Sequence, residues 1–545
     1  MTSPALSVQG LTFQYSSGSS PALVDVERSL RPGEMVLVAG PSGCGKSTLI
    51  KCLNGLIPRS YKGELGGRVE LFGEPTDGLP LESISARVGT VLQDPDKQLV
   101  AATVRADIAF GLENEGLPRQ DIHERMGTVA SELALESVLG RATAALSGGE
   151  RQKVALAGVL AMRPAVMLLD EPLANLDPAT AMDLLRFLRR QTQSGLAVLV
   201  VEHRVEDVLE VGPDRVIYME QGRVRYDGDV DGFLDVADPE AVKLPFAAIA
   251  ARHRGRPSSA APASVASPNT KEPETLVAYA DVSYRYSAQD PLALKGVSAS
   301  LHSPERVAVL GPNGSGKSTL LKLALGLMKP SSGEVVVAGA PTTRQSVAQL
   351  ARHLSYVFQS PRQMLFANSV REELAFAPRN QGMSGAAADE VAGKALRLVG
   401  LDQVEGIWER SPYALSFGQQ KRLAIAAALT MSPRAIVVDE PSAGQDYGQA
   451  AVFLSEIGRL AGLESVYFIT HDVDLALLYS DRCLLIREGS LEGDGPPMEV
   501  LADLDRLSRF RLRPTSLLAA NLSLLRPGEA PMDAGQLATR LQKPG

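Results

Sequence analysis

The segments Gly40-Pro-Ser-Gly-Cys-Gly-Lys-Ser-Thr48 and Gly311-Pro-Asn-Gly-Ser-Gly-Lys-Ser-Thr319 decide the fold of this chain. Each follows an apolar run and matches the pattern G-x-x-x-x-G-K-[ST]. In such a loop the glycines allow a tight turn that points backbone N–H groups at phosphate oxygens, at the start of a helix whose dipole favours anions. The candidate nucleotide-binding residues are Gly40, Pro41, Ser42, Gly43, Cys44, Gly45, Lys46, Ser47, Thr48, Gly311, Pro312, Asn313, Gly314, Ser315, Gly316, Lys317, Ser318 and Thr319.

Within these loops the lysines and the serines have different predicted tasks. Lys46 and Lys317 are expected to contact the β- and γ-phosphates of a nucleotide. Ser47 and Ser318, which follow them, are expected to ligate Mg²⁺. The pattern therefore predicts two sites for ATP with Mg²⁺.

Further motifs repeat with the loops at a nearly constant spacing. Lys46 and Lys317 are 271 residues apart. Four later pairs follow in the same order, which identifies the chain as a duplicated domain. These pairs and their offsets are Gln93/Gln359 at 266, Ser147/Ser416 at 269, Glu171/Glu440 at 269 and His203/His471 at 268.

Length and composition agree with two domains. A chain of 545 residues exceeds the roughly 250–300 residues at which single cores stop growing. The stretch Ala251–Glu274 is rich in Ala, Pro and Ser and has few large apolar side chains, which indicates a flexible linker. We predict a first ATP-binding domain at 1–235, a linker at 236–274, a second domain at 275–504 and a helical C-terminal appendix at 505–545.

Charge and cysteine usage exclude several classes of protein. The net charge of −8 and the pI near 5.5 argue against a nucleic-acid-binding groove. Three cysteines, Cys44, Cys52 and Cys483, are too few for a disulfide framework or a four-thiolate metal site and are expected to be buried or incidental thiols. No run approaches the roughly 18–20 apolar residues of a membrane span, and the N-terminus lacks the pattern of a signal peptide.

Short apolar runs alternate with helical patterns in each half, which indicates a largely parallel sheet. Met35–Ala39, Val166–Leu169 and Ala197–Val201 are predicted strands, and Leu6–Tyr15 with Val69–Phe72 suggests an additional antiparallel lobe.

Two of the apolar strands end in paired acids, at Asp170-Glu171 and Asp439-Glu440. A carboxylate at the end of a buried strand is costly unless a cation or water uses it. Asp170 and Asp439 are candidate Mg²⁺ ligands. Glu171 and Glu440 are candidate general bases that position the attacking water.

The sequence Leu146-Ser-Gly-Gly-Glu-Arg-Gln152 resembles the LSGGQ signature of ABC-type ATPases, and Leu415-Ser-Phe-Gly-Gln-Gln-Lys421 is a variant of it. The resemblance implies two α/β domains, each with a mainly parallel core, an antiparallel β lobe and a helical signature subdomain. It also implies that the two halves pair face to face. The loop at Gly40 would be completed by Ser416 and Gly418, and the loop at Gly311 by Ser147 and Gly149.

The same resemblance assigns other residues. Tyr15 and Tyr286 would stack on adenine. Gln93 and Gln359 would sense Mg²⁺ and water, and His203 and His471 would contact the γ-phosphate. Asp177 and Asp446 match an acid that communicates across the pair. Phe417 stands where the consensus has glycine and Gln445 replaces an apolar residue, so two competent but unequal sites are expected.

The stretch from Gln93 to Asn114, QDPDKQLVAATVRADIAFGLEN, looks like the corresponding segment of ATPases of energy-coupling factor (ECF) importers for vitamins, vitamin precursors, cobalt or nickel. That resemblance implies a peripheral protein at the cytoplasmic face of the membrane. Its partners would be an integral-membrane scaffold subunit and a small substrate-binding membrane subunit, with no nucleic acid. Acids that could receive basic residues of the scaffold are Asp94, Asp96, Asp107 and Glu113.

Other tandem ATPases remain as alternatives. A sugar- or peptide-type ABC importer lacks the Asp-Pro-Asp-Lys-Gln run that begins at Asp94. A ribosome-associated tandem ATPase carries a long charged helical arm between its domains, whereas the linker here is short and rich in Ala, Pro and Ser and the whole chain is acidic. The transported substrate is not encoded in this chain.

Overall fold

A computed structural model describes residues 3–16, 18, 20–253, 273–442, 447–460, 462–526 and 528–542, without the side chain of Phe417. The chain divides near residue 252 into two compact units. Each unit contains a six-stranded sheet and a four-stranded sheet, with helices between the strands. The predicted α/β class with a parallel core and an antiparallel lobe is confirmed in both units.

The strands of the first unit form two sheets. The four-stranded sheet has the order β2-β1-β4-β5 and is antiparallel. The six-stranded sheet has the order β10-β9-β3-β8-β7-β6, and only its edge strand β10 runs antiparallel. The strands are β1 Leu6–Tyr15, β2 Leu23–Leu30, β3 Met35–Ala39, β4 Gly63–Leu71, β5 Glu74–Pro75, β6 Val88–Val91, β7 Val166–Asp170, β8 Ala197–Val201, β9 Arg215–Glu220 and β10 Arg223–Gly228.

Helices cover the parallel sheet of the first unit. Strands β3, β7 and β8 are buried along their whole length, as expected when both faces of a parallel sheet are covered. The helices are α1 Lys46–Leu53, α2 Leu56–Arg59, α3 Leu81–Ser85, α4 Val104–Asn114, α5 Arg119–Glu132, α6 Gly148–Ala161, α7 Pro178–Thr192, α8 Val205–Glu210, α9 Val230–Val236 and α10 Phe246–His253.

The second unit repeats this plan. Its antiparallel sheet has the order β12-β11-β14-β15 and its six-stranded sheet the order β16-β17-β18-β13-β19-β20. Its strands are β11 Glu274–Tyr284, β12 Leu294–Ser303, β13 Arg306–Leu310, β14 Ser332–Val337, β15 Ala340–Pro341, β16 Leu354–Val357, β17 Ala435–Asp439, β18 Ser465–Ile469, β19 Arg482–Arg487 and β20 Ser490–Gly495. Its helices are α11 Lys317–Ala324, α12 Val347–Leu350, α13 Val370–Asn380, α14 Gly385–Leu398, α15 Phe417–Leu429, α16 Tyr447–Ile457, α17 Val473–Tyr479, α18 Pro497–Val500, α19 Leu504–Arg509, α20 Ser516–Leu524 and α21 Ala534–Gln542.

The segments assigned to the linker and the C-terminal appendix contain helices. Within 236–274, Val242 and Leu244 are buried in the first unit, helix α10 follows, and residues 254–272 lie outside the described part of the chain. Beyond residue 504, Asn521 on α20 is fully buried. Its amide donates to the carbonyl of Met532 (2.9 Å) and accepts from the Met532 N–H (2.8 Å), which fixes the chain between α20 and α21.

The three thiols are buried and free, as predicted from the sequence. Cys44 lies in the first phosphate loop, Cys52 on α1 and Cys483 on β19. Burial raises the pKa of Cys52 and of Cys483 to about 12, so both are held as neutral thiols.

Candidate nucleotide sites

The phosphate loops connect β3 to α1 and β13 to α11, and their shape depends on glycine. A Cβ at Gly40 would lie 2.2 Å from the carbonyl oxygen of Met219, and one at Gly311 would lie 2.0 Å from that of Ile486. Both glycines have positive φ, 151° and 150°. Gly45 begins α1 without a side-chain cap, so the first N–H groups of the helix remain directed to the loop. The loops therefore have the backbone cradle that a phosphate group requires.

A buried lysine closes each loop. Nζ of Lys46 donates to the carbonyl oxygens of the first two loop residues at 2.8 and 2.9 Å. Nζ of Lys317 makes the same two bonds, at 2.8 Å each. Each ammonium group is thus held on the inner side of the loop, where a bound phosphate would meet it.

A hydroxyl and a carboxylate meet beside each loop. Oγ of Ser47 donates to Oδ1 of Asp170 at 3.0 Å, and Oγ of Ser318 donates to Oδ2 of Asp439 at 3.3 Å. Burial and the neighbouring Glu171 raise the pKa of Asp170 to about 6, and burial also raises the pKa of Asp439. Oxygen ligands of this type suit Mg²⁺, so the donor set fits the ion.

The second acid of each pair is the centre of a hydrogen-bonded group. In the first unit Glu171 accepts from Nε2 of Gln93 at 2.7 Å and lies 3.1 Å from Nε2 of His203. Burial acts to raise the pKa of Glu171, but His203, Lys46 and Gln93 together hold it below its usual value. The carboxylate is therefore kept ionised, as a general base must be.

The second unit repeats the pair of glutamate and histidine. Nε2 of His471 lies 3.0 Å from Glu440, and His471 and Lys317 hold the pKa of Glu440 below its usual value against the effect of burial. Gln359 follows β16 as Gln93 follows β6. Glu171 and Glu440 both have positive φ, 50° and 49°, a strained conformation that clusters at functional sites.

The aromatic candidates lie beside the loops. The hydroxyl of Tyr15 is 3.2 Å from Oγ1 of Thr48, and that of Tyr286 is 2.8 Å from Oγ1 of Thr319. The structure thus brings each tyrosine to the phosphate loop of its own unit. Their stacking on adenine stays a prediction.

The signature residues begin helices α6 and α15. Ser147 and Glu150 form a capping box, as do Ser416 and Gln419, so the hydrogen bonds of both serines remain in their own helical turn. Gly149 and Gly418 lie in the first turns of these helices. Asp177 caps α7 by accepting from Thr180 N at 2.9 Å, whereas Asp446 lies outside the described residues.

Two residues near the sites were not identified from the sequence. Glu202 is fully buried, and burial together with Glu171 raises its pKa to about 7. Tyr356, on β16, donates its phenol hydrogen to Asp439. Comparison of the two halves position by position could have drawn attention to both, because the first unit has Thr90 in place of Tyr356 and the second has Thr470 in place of Glu202.

The expectation that Asp107 receives a basic residue of a partner is wrong. Asp107 is buried in the first turn of α4, and its Oδ1 accepts from the N–H groups of Val100 and Ala101 at 2.8 and 2.9 Å. Its carboxylate therefore closes the loop that follows Gln93. Glu373 does the same in the second unit by accepting two loop N–H groups at 2.8 and 2.9 Å.

The other acids of this segment remain at the surface. Asp94 pairs with Lys97 at 3.5 Å, and Asp96 pairs with Arg151 on α6 at 2.9 Å. Glu113 is exposed on α4. These three acids are accessible to a partner, although two of them already have a basic neighbour.

Comparison with known proteins agrees with this geometry. The ABC transporter family matches residues 23–174 and 294–443, which contain both phosphate loops and both acidic strand ends. The chain belongs to the ABC transporter ATPase family. Proteins of this family hydrolyse ATP, which they bind with Mg²⁺, and the tandem arrangement predicted from the sequence is confirmed.

Two relatives of similar length carry general names. A protein of Enterococcus faecalis, provisionally named an ABC transporter ATP-binding protein, is 34% identical over 95% of both chains. One of Lactiplantibacillus plantarum with the same provisional name is 35% identical over 95% of both. The solved structure of cbiO1 from Clostridium perfringens, described as part of the ABC transporter complex cbiONQ, is 31% identical and covers 43% of this chain and 94% of its own, with a TM-score of 0.39.

Across the part of this ABC ATPase that the structure describes, no helix has the length and apolar character needed to cross a membrane.

Proposed function

We propose that this ABC ATPase is the energy-coupling subunit of an ECF-type importer for a vitamin, a vitamin precursor or a transition-metal ion. In this proposal the chain binds peripherally to the cytoplasmic face of the membrane. A scaffold subunit and a small substrate-binding subunit in the membrane are its partners. The observation that carries the proposal is an apolar surface that recurs in both units, in the segment whose sequence resembles ECF ATPases.

This apolar surface consists of Val100 and Phe110 in the first unit and of Phe366 and Phe376 in the second. The exposed fractions of these side chains are 64, 48, 58 and 50%, and the rings of Phe366 and Phe376 are in edge contact at 4.8 Å. Large exposed apolar side chains at equivalent places in two units favour a partner that covers them. Asp107 and Glu373 stiffen the loops that carry Val100 and Phe366.

The geometry of each site supports the proposed hydrolytic roles. Lys46 and Lys317 would hold the β- and γ-phosphates. Ser47 with Asp170, and Ser318 with Asp439, would hold Mg²⁺, which would neutralise charge on the transferred phosphoryl group. Glu171 and Glu440 orient the attacking water and take its proton.

The remaining assignments are proposals of the same kind. His203 and His471, each beside its glutamate, contact the γ-phosphate. Gln93 and Gln359 join the Mg²⁺ and water side of each site to the apolar surface that begins a few residues later. Tyr15 and Tyr286 support adenine.

We further propose that the two units complete each other's sites. Ser416 and Gly418 would cover the nucleotide held by the loop at Gly40, and Ser147 and Gly149 that held by the loop at Gly311. Both serines lie at helix N-termini, which favour phosphate oxygens. ATP binding would close the pair, and closure would be transmitted to the scaffold through the segments after Gln93 and Gln359.

Mild-detergent purification from membranes tests the partner assignment. The chain is expected to bring a membrane scaffold and a small integral binding protein with it, and the Phe110→Ser/Phe376→Ser double variant is expected to lose both. Val236→Ser is a matched control, because Val236 is also 50% exposed but lies on α9. Nucleotide binding, measured in parallel, shows that each variant is folded.

Different co-purified proteins would point to different functions. A pair of large membrane subunits with a soluble sugar- or peptide-binding protein would replace the ECF proposal by the sugar- or peptide-importer alternative. Ribosomes in place of membrane proteins would favour the ribosome-associated alternative. Retention of the scaffold by the double variant would contradict the apolar surface as the contact.

A further inference from the structure

The carboxylate that faces the metal side of each site has different neighbours in the two units. In the second unit Tyr356 is buried on β16, and its hydroxyl donates to the same Oδ2 of Asp439 that accepts from Ser318. Two donors therefore converge on one carboxylate oxygen. The ring of Tyr356 is fixed by the hydrophobic core beneath the sheet, so its hydroxyl is held in place without mobile side-chain torsions.

The first unit has Thr90 at the equivalent position of β6, and its hydroxyl serves another partner. Oγ1 of Thr90 accepts from Nδ2 of Asn54 at 3.3 Å, while the side-chain hydrogen bond to Asp170 comes from Ser47. Asn54 corresponds to Leu325 in the second unit, which is buried in the same core as Tyr356. Both members of this neighbouring pair therefore differ between the two units. A polar pair, Asn54 with Thr90, replaces an apolar residue and a phenol.

We propose that Tyr356 is a positioning residue that orients Asp439 for Mg²⁺ and makes the second unit the tighter of the two metal·nucleotide sites. The inference rests on the proposed role of Asp439 as a metal ligand. A ligating carboxylate that is already oriented by an outer hydrogen bond loses less freedom when the ion binds, and removal of such a partner typically weakens metal binding by about 10–100-fold. Among the described residues, the side-chain hydrogen bond to Asp170 comes from Ser47.

Mn²⁺ binding, followed by electron paramagnetic resonance with a non-hydrolysable ATP analogue present, tests this directly in the full chain. The unmodified protein is expected to show two unequal classes of Mn²⁺ site. Tyr356→Phe, which removes one oxygen, should weaken the tighter class by about 10–100-fold and leave the other unchanged. Tyr467→Phe is the matched control, because the Tyr467 phenol is also buried in the second unit but donates to the carbonyl of His302 at 2.6 Å.

Three results would contradict the proposal, and they distinguish a failure of the role of Tyr356 from a failure of the metal-ligand assignment of Asp439. Equal Mn²⁺ affinities in Tyr356→Phe and unmodified protein overturn the role of Tyr356. Weakening of both classes, or equal weakening by Tyr467→Phe, assigns the effect to general destabilisation and also overturns it. Asp439→Asn addresses the underlying assignment, because Mn²⁺ binding that survives this change in both classes removes Asp439 from the metal site and with it the proposed function of that residue.

Discussion

The two units share the charged and hydroxyl-bearing residues expected to act on the nucleotide but have different residues directly behind them. Lysine, serine, aspartate, glutamate and histidine recur at both sites with similar distances. The supporting residues have diverged, from Thr90 to Tyr356 and from Glu202 to Thr470. Since the supporting residues set orientation and charge, two sites with the same reactive groups can differ in affinity and rate.

Glu202 and Thr470 illustrate the size of this difference. Glu202 accepts from the N–H groups of Leu173, His203 and Arg204, at 2.8, 3.0 and 3.3 Å, and so connects the segment after Glu171 to the one that carries His203. Thr470 accepts one bond, from Asp472 N at 3.0 Å. The first unit therefore holds its histidine segment through a carboxylate that can change charge, and the second does not.

The buried polar residue on the helix that follows each signature sequence also differs between the two units. Lys421 on α15 is fully buried, donates to the carbonyl of Pro441 and lies 4.9 Å from the ring of Phe453. Burial lowers the pKa of Lys421 to about 7. The first unit has the neutral Gln152 at this place, also buried. A titratable group thus supports each unit, a carboxylate in the first and an ammonium in the second.

The largest effect is expected from the two candidate general bases. Glu171→Gln and Glu440→Gln should each lower turnover at the altered site, and the double variant should lose about 10²–10⁴-fold in ATP hydrolysis, the contribution of a positioned base. Trapped nucleotide, measured after rapid gel filtration, should differ between the single variants because the residues behind the two sites differ. Glu82→Gln, an exposed residue on α3, is the control. Normal hydrolysis in the double variant would exclude both glutamates as bases.

A second prediction concerns the pH dependence of stability that Glu202 gives to the first unit. Its pKa is raised from 4.5 to about 7, so the folded unit holds this proton more tightly than the unfolded chain. The resulting stabilisation is complete below pH 4.5 and is lost as the pH rises through about 7, a change of about 3 kcal/mol in unfolding free energy.

Glu202→Thr, which introduces the residue of the second unit, should remove the part of the pH dependence of the unfolding free energy that Glu202 contributes. Calorimetric unfolding between pH 4.5 and 8 measures this pH dependence in the variant and in the unmodified protein. Asp170 contributes equally to both proteins, so its contribution cancels when they are compared. Parallel slopes for the two proteins would mean that Glu202 is ionised throughout this range.

Sequence patterns predicted the strands that carry the sites. β3 and β8 have the predicted bounds because their apolar runs are continuous, and β1 because its apolar residues alternate on both sides of an irregularity between Val8 and Leu11. β4 was placed at Val69–Phe72, whereas it extends over Gly63–Leu71. The first half of β4 is mostly exposed and contains Gly66 and Gly67 in addition to Gly63. It therefore lacks the alternation of apolar and polar residues that predicts a strand.

The supporting residues could not be predicted in this way. Asp107 has the sequence setting of a surface acid in the first turn of a helix, and only the fold of the preceding loop turns two N–H groups toward it. Glu202 and Tyr356 depend on contacts with residues 29 and 83 positions away in the chain. Motif spacing identifies groups that react, whereas burial and long-range hydrogen bonds determine which groups support them.

The smallest effect is expected at the signature position where Gly148 corresponds to Phe417. A Cβ at Gly148 would meet only Cβ of Asn175, at an ordinary 3.7 Å, among the described residues. Gly148→Ala should therefore change the unfolding free energy by no more than about 1 kcal/mol, in the stabilising direction expected for alanine in a helix. Gly40→Ala is the contrasting control, since its Cβ would lie 2.2 Å from the carbonyl oxygen of Met219. Urea unfolding and ATP turnover are measured on the same samples.

If Gly148→Ala is stable but hydrolyses ATP slowly, the first unit does not itself need the space at this glycine, and the constraint must come from a facing surface, as the proposed pairing of the two units requires. A marked loss of stability would instead show that the glycine serves its own helix, and the exchange to Phe417 would then not explain the expected inequality of the two sites.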